Sequence, residues 1–343
     1  MERPVPFFSI VVLNWNGLPL LDECLSSLRG QAFADFEVVM VDNGSTDGSA
    51  EWLASRESAC VRPLILPDNL GYAEGNNAGI RMARGRWIVL LNNDTAADPD
   101  WLAQIAAAIG RHPEAGMFTP KILNYYRRDE IDNTGHLIYP DGLARGHNRL
   151  EKDDGRFDSE VEAAWPSGCA GVYRREMLDQ VGLLDETFFA YAEDVDLGLR
   201  GRWAGWNCWY VPAARVYHKY SATTGSFSPR KAFLVERNRF WVLLKNFPAR
   251  EIALSPFATG WRYFMHLRAA LSGRGAAGKM ASEYSVWKLF ATTLSAEIAA
   301  VVGAPRILRE RRRLAPTRRL SNGEFRRLIR RFRMSAAEAA MKE

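Results

Sequence analysis

Apolar residues gather in short runs along the first part of the chain, and each run closes abruptly on amides or carboxylates. Phe8-Ser-Ile-Val-Val-Leu-Asn14, Phe36-Glu-Val-Val-Met-Val-Asp42 and Trp87-Ile-Val-Leu-Leu-Asn92 barely alternate between apolar and polar positions. Such runs read as strands buried on both faces, the habit of parallel sheets. Between them, Leu18 to Leu28 and Ser49 to Arg56 carry helical periodicity, and a short strand is predicted near Arg62 to Leu66. A Gly/Asn-rich loop, Asn69 to Gly75, leads into a predicted helix from Asn76 to Ala83. Strands alternating with helices predict βαβ units and a right-handed, mostly parallel sheet.

Further on, Pro99 to Gly110 reads as a helix with Pro at its start and Gly at its end. Residues 117–165 read as strands and loops, Arg174 to Val181 as a helix, and Phe188 to Trp203 as a loop turning helical near Asp194. After Lys231 the pattern is mostly helical. Two stretches there are apolar, Ile252 to Leu271 and Val286 to Ala304, but Arg262 and Arg268 interrupt the first and Lys288 and Glu297 the second. Neither is expected to span a membrane. In the last predicted helix Phe325, Leu328, Ile329 and Phe332 share one face, and Arg326, Arg327, Arg330, Arg331 and Arg333 crowd the rest. That division predicts a helix lying in the plane of an anionic membrane surface.

Composition changes this picture in one respect. Hydrophobic content of 47% and charged content of 25% over 343 residues are ordinary for a globular protein. The formal net charge of +5, however, conceals +10 in residues 302–333 and −1 after them, so residues 1–301 carry −4. The basic tail calls for an acidic partner. Cys24, Cys60, Cys169 and Cys208 are scattered without metal-ligand spacing, as in reduced cytosolic proteins. The chain enters a strand pattern at once, so no signal peptide is expected.

In open α/β sheets the ligand sits beyond the carboxyl ends of the strands, where the polar closures fall. No G-x-G-x-x-G follows the first strand and no G-x-x-x-x-G-K-[ST] occurs, which weighs against a dinucleotide-binding domain and a P-loop NTPase. Asn14-Trp15-Asn16-Gly17 ends the first strand and Asp42-Asn43-Gly44-Ser45-Thr46-Asp47 the second. Trp15 offers a face on which a base could stack and Asp42 an acceptor for a pyrimidine N3–H; both segments also read as ordinary βα turns. Gly71 and Gly75 let backbone approach a ligand, with Asn76 or Asn77 placed to cap the following helix. Asn92-Asn93-Asp94 is either a turn or a place where a carboxylate holds a divalent cation against a phosphate. Glu193, Asp194 and Asp196 crowd together at a helix start or supply a general base. His218 is either structural or a neutral imidazole for the same cation.

Taken together, VVLNWNG, VVMVDNGSTDGS, NLGYAEGNNAGI, VLLNNDT, GCAGVYRRE, FFAYAEDVDL, VYHKYSATTG and ERNRFWVLLKNFP, in that order over roughly residues 7–245, resemble the family 2 glycosyltransferases with a GT-A fold, especially their rhamnosyltransferase-like branch. The resemblance implies an α/β, Rossmann-like catalytic domain over 1–245, while the basic amphipathic tail makes 246–343 an expected helical, Arg-rich region for membrane-surface association. It implies that Trp15 and Asp42 engage the nucleotide base with Asp47 nearby, and that Asn77 and Gly79 lie in the donor-binding segment. Asn14, Gly71, Asn76, Asn92 and Asn93 are expected along the same donor site. Asp94 matches the last carboxylate of the DXD-type motif, with Asn92 at its first position, and His218 a metal or diphosphate contact. Asp194, within the Glu193-Asp194 pair, matches the catalytic base, and Asp196 is expected to order the loop.

The expected reaction is an inverting transfer from dTDP-rhamnose or a UDP-hexose, with Mg²⁺ or Mn²⁺, to a hydroxyl of a lipid-linked saccharide in bacterial surface polysaccharide synthesis. The expected location is the cytoplasmic face of the membrane. The alternatives are a nucleic-acid-binding protein or a non-catalytic sugar-nucleotide binder. Against the first, the tail arginines flank an apolar stripe and lack interleaved aromatics beyond Phe325 and Phe332; against the second, Asp94 and Asp194 are both intact.

Overall fold

Continuous apolar runs become strands because both of their faces are covered. In β1 (Phe8–Asn14), Ile10 and Val12 join one hydrophobic cluster while Val11 joins another across the sheet. A computed structural model describes residues 4–220, 228–271 and 284–341. β1 is followed by α1 (Leu18–Arg29), β2 (Phe36–Asn43), α2 (Ser49–Ala54), β3 (Val61–Leu66), α3 (Gly71–Met82) and β4 (Trp87–Asn92). These four strands are parallel, in the order β4-β1-β2-β3. Their register places Asn14 beside Asp42 and Leu13 beside Asn92, so the polar strand ends form one row at one edge.

The sheet continues on the other side of β4. The chain adds β5 (Thr95–Ala97), α4 (Trp101–Arg111), β6 (Ala115–Asn124), β7 (Ile131–Asn133), β8 (His136–Ile138), β9 (Ala144–Gly146), β10 (Val161–Ala163), β11 (Ala170–Arg174), α5 (Arg175–Val181), α6 (Glu193–Trp203) and β12 (Asn207–His218). β11 runs antiparallel between β4 and β6, completing the order β10-β12-β6-β11-β4-β1-β2-β3. β8 and β9 form a separate hairpin. The result is the α/β architecture expected, parallel in its first half and mixed in its second.

Helices complete the chain: α7 (Pro229–Asn246), α8 (Ala249–Leu271), α9 (Val286–Leu314), α10 (Asn322–Arg331) and α11 (Ala336–Met341). Three expectations change here. α3 begins at Gly71, not Asn76, because Gly71 takes a left-handed backbone (φ 86°) and the Asn69 side chain accepts its N–H at 2.9 Å. Asn76 and Asn77 therefore lie inside the helix and do not cap it. The apolar stripe of α10 does not face outward: Phe325 is fully buried, its ring 4.0 Å from that of Trp203, and Ile329 and Phe332 are buried with it. That stripe is core, and only the arginines remain outside. Finally, the helix that includes α9 is long and apolar enough to cross a membrane by length and composition. The boundary expected at 245 has no counterpart in the packing, since Val11, Trp241, Phe247, Ala300, Ile307 and Phe325 share one cluster.

Candidate active site

At the first two strand ends the side chains bind one another tightly. Asn14 Nδ2 donates to Asp42 Oδ1 (3.1 Å), Asn14 Oδ1 accepts from Asn93 Nδ2 (2.7 Å), and Asp42 Oδ2 accepts from the Ser45 N–H (2.9 Å). A Cβ on Gly17 would collide with this Asn14–Asn93 pair, which accounts for the glycine. Asp42 is 1% exposed, whereas Trp15 is 38% exposed and presents the aromatic face of this corner. Asp47 is spent on two helix starts: its Oδ2 accepts from the Leu18 N–H (2.9 Å) and its Oδ1 from the Ser49 hydroxyl (2.6 Å).

Several residues assigned to the donor turn out to be braces. Asn77 is 1% exposed, and its amide bonds both the carbonyl and the N–H of Leu184 (2.8 and 3.1 Å). It holds the segment that leads toward Phe188 and the loop after it. Asn76 donates to the Tyr72 carbonyl at 2.9 Å, and Gly79 packs where a Cβ would strike Val11 and Val41. Gly71 lies against Phe189, and its N–H and carbonyl are taken by Asn69 and Asn43. At each of these positions the polar atom or the open space is filled from within the protein.

Asn92-Asn93-Asp94 forms a turn that sets Asp94 beside His218. β4 ends at Asn92, the chain turns, and β5 pairs with β12 so that Thr95 lies opposite His218. This register brings Asp94 Oδ1 to 3.2 Å from His218 Nε2. On its other side, His218 Nδ1 lies 2.7 Å from Asp132 Oδ2, and Arg149 pairs with Asp132 from behind. Burial opposes a charge on His218, but Cys169, Asp132 and Asp94 outweigh it and raise its pKa well above the usual value. An oxygen and a nitrogen donor, with a carboxylate fixing the far ring nitrogen, is the arrangement of a histidine metal ligand. Among the described residues no cluster of three or more His, Cys, Asp or Glu could hold an ion alone. Asp94 and His218 thus fit a hard cation whose remaining positions come from phosphate oxygens and water.

The Glu193-Asp194 pair divides into two different environments. Asp194 Oδ2 accepts from the Gly168 N–H and its Oδ1 from the Val195 N–H, both at 2.8 Å, at the N-terminus of α6. Glu193 is 5% exposed, and Oε2 has no hydrogen-bond partner. Burial first, then the charges of Asp194 and Asp196, push its carboxyl well above the usual range. Glu193 is therefore an enclosed carboxyl whose charged form is disfavoured. Asp196 is fully buried between Arg200 and Lys245 (2.8 and 2.9 Å), which ties the start of α6 to α7.

The two centres meet at Gly168-Cys169. Gly168 donates to Asp194 and its carbonyl accepts from Tyr72 Oη (2.7 Å), while the Cys169 carbonyl accepts from the Asn92 N–H (2.9 Å). Three residues here escaped the sequence reading. His136 places Nε2 3.9 Å from Asp194, and Asp132 holds His218. Asn238 gathers the carbonyls of Phe188, Ala190 and Tyr191 (3.0, 2.9 and 2.7 Å). That loop needs such a clamp because Phe189, Tyr191 and Ala192 all take positive φ (65°, 71° and 69°). In the VYHKYSATTG segment, Ser221 to Gly225 lies outside the described residues.

Comparison with known proteins agrees with this geometry. Residues 9–182 match the family described as Glycosyl transferase family 2. The chain is 31% identical over 252 residues to the N-acetylglucosaminyl-diphospho-decaprenol L-rhamnosyltransferase of Mycobacterium tuberculosis, covering 63% of this chain and 77% of that protein. It is also 31% identical over 232 residues to the uncharacterized protein y4gI of Sinorhizobium fredii, covering 64% of this chain but only 25% of that much longer protein. Among solved structures, GalNAc-T7 with UDP, GalNAc and Mn²⁺ superposes with a TM-score of 0.58 at 17% identity, over 71% of this chain and 48% of that one, which is a likeness of fold. By its strand-end motifs, its fold and this match over half its length, the chain belongs to glycosyl transferase family 2.

Proposed function

We propose that this chain is an inverting glycosyltransferase that moves rhamnose or a hexose from a dTDP- or UDP-sugar to a hydroxyl of a lipid-linked saccharide, at the cytoplasmic face of a bacterial membrane. The observation that carries the reading is the Gly168-Cys169 dipeptide, one residue of which holds Asp194 while the carbonyl of the next accepts from the Asn92 N–H (2.9 Å), two residues before Asp94. A base and a leaving-group clamp tied to neighbouring backbone residues suit a single displacement. Asp194, held by two backbone N–H groups, keeps lone pairs for the acceptor hydroxyl and takes its proton as the oxygen bonds the anomeric carbon. The bond from that carbon to the diphosphate breaks, and the electron pair leaves with the nucleotide. Asp94 and His218 would hold Mg²⁺ or Mn²⁺, which supplies charge neutralisation for the diphosphate. Trp15 stacks the base, while Asn14, Asp42 and Asn93 keep that corner rigid. The Mycobacterium relative named for a diphospho-decaprenol acceptor supports the lipid-linked substrate.

The test combines binding with turnover. Asp194→Asn is expected to lower turnover about 10²–10⁴-fold while keeping the thermal shift produced by the correct donor with Mn²⁺. Turnover at the wild-type rate would overturn the base assignment, and a panel of dTDP- and UDP-sugars that shifts nothing would overturn the donor class.

A further inference from the structure

α8 and α9 are built inside out. Their buried sides carry charge: Arg262 of α8 is 2% exposed and donates to Asp141 (2.6 Å) and Glu236 (2.8 Å), and Glu297 of α9 pairs with the buried Arg239 (2.5 Å). Their outer sides are apolar. Phe257, Trp261 and Phe264 on α8 are 79%, 56% and 52% exposed, and Trp287, Phe290 and Ile298 on α9 are 82%, 60% and 56% exposed. Tyr263 Oη donates to Glu297 Oε1 (3.0 Å), a direct link between the two helices, and the next residue on each, Phe264 and Ile298, is exposed. A helix in water buries its apolar stripe and exposes its charges. Ionic groups turned inward beneath an apolar exterior are the pattern of helices whose solvent is lipid.

We propose that the outer faces of α8 and α9 form a membrane-docking surface that takes an anionic phospholipid bilayer. Two further features choose lipid as the occupant. Trp261 and Trp287 are amphipathic rings of the kind that settle at headgroup level. Beyond the apolar stretch, α9 continues into Arg306, Arg309, Arg312 and Arg313, all exposed, which complements anionic headgroups. The docking is in the plane of the membrane. Ala296, Ala300 and Ile307 are buried, and Gly303 leaves room for Trp241 of α7, so α9 could not cross a bilayer without tearing away from the catalytic body. This assignment moves the membrane contact from the α10 stripe, which is core, to a surface on other helices. It stands on that surface alone, and it gives the proposed lipid-linked acceptor a plane from which to arrive.

Flotation of the full chain with phosphatidylcholine vesicles, with and without phosphatidylglycerol and with no donor present, tests the proposal. The wild type is expected to float with the anionic vesicles and less with the neutral ones. Combining Phe257→Ser, Trp261→Ser, Phe290→Ser and Ile298→Ser should cut the floated fraction about tenfold or more, with melting temperature and donor-induced thermal shift unchanged. A wild type that stays at the bottom, or a quadruple variant that floats as well as wild type, overturns the proposal. So does light scattering that finds a wild-type dimer broken by the four changes without vesicle binding, since the face is then a subunit contact. Loss of the donor shift with flotation intact would instead count against the transfer reaction.

Discussion

At the scale of single residues, the centre is defined as much by supporting groups as by those that meet the substrate. Asp132 illustrates this. Burial raises its carboxyl's pKa, but His218 and Arg149 more than compensate and leave it below the usual value, so it stands as an anion behind the imidazole. Such a partner fixes which ring nitrogen faces the cation and raises its basicity. Asp132→Asn keeps the shape and removes the charge. The expected outcome is Mn²⁺ affinity weakened about 10–100-fold, measured by calorimetry in the presence of nucleoside diphosphate, with activity recovering as Mn²⁺ is raised. Unchanged affinity would show that His218 needs no such orientation. Nothing local in the sequence marks Asp132, because its partner lies 86 residues away. Asp94 was legible because it closes an apolar run, and Asp194 because it opens a helix after an aromatic loop.

Between elements, α6 and α7 are joined by a buried ionic knot that sets the platform for Asp194. Lys245 Nζ lies 2.6 Å from Asp185 and 2.9 Å from Asp196, while Asn246 donates to Asp196 at 2.9 Å. Burial alone would raise the Asp185 carboxyl, but the Lys245 charge and the Thr187 hydrogen bonds hold it down at about 2. A depressed folded pKa contributes stability that is fully present above the unfolded value and is lost as pH falls toward the folded one. The Asp185 contribution, roughly 2–3 kcal/mol, should therefore disappear between about pH 4 and pH 2, visible as a falling chemical-denaturation midpoint. Lys245→Met leaves the buried Asp185 without its cation and Asp196 with Arg200 alone, and is expected to cost about 3–5 kcal/mol at neutral pH. A loss below about 1 kcal/mol, the usual worth of a surface salt bridge, would mean the knot is solvated. The strands beneath this platform were readable from periodicity alone, since burial on both faces leaves unbroken apolar runs. The true start of α3 was not. Asn69 and Gly71 look like loop residues, and only their hydrogen bond and left-handed backbone show that they begin a helix.

Across the whole molecule, the basic tail belongs to the same body as the catalytic sheet. A stripe at i, i+3, i+4 and i+7 shows that a face is covered but not what covers it, so Phe325, Leu328, Ile329 and Phe332 were legible as a face and not as core. Phe325 stacks on Trp203 at the end of α6 and meets Phe247 edge-on at 6.0 Å. The chain then runs along β8: the Ile138 N–H donates to the Phe332 carbonyl (2.9 Å), and the Met334 N–H donates back to the Ile138 carbonyl (3.1 Å). Ile138 lies two residues from His136, the group facing Asp194, so the tail braces one wall of the active centre. Phe325→Ala should cost about 3–5 kcal/mol, the usual loss for emptying a buried aromatic site, and lower the melting temperature of the whole chain. Removing residues 305–343 should therefore abolish folding and transfer even to a soluble acceptor, beyond any loss of membrane contact. By contrast, reversing the exposed Arg327 and Arg330 to Glu should leave the melting temperature within about 1 °C, because surface changes away from specific contacts cost little. Calorimetry decides the matter. A single transition that Phe325→Ala shifts as a unit fits one body. Two transitions, with donor binding surviving the first, would mean that the region after residue 245 folds as a domain of its own.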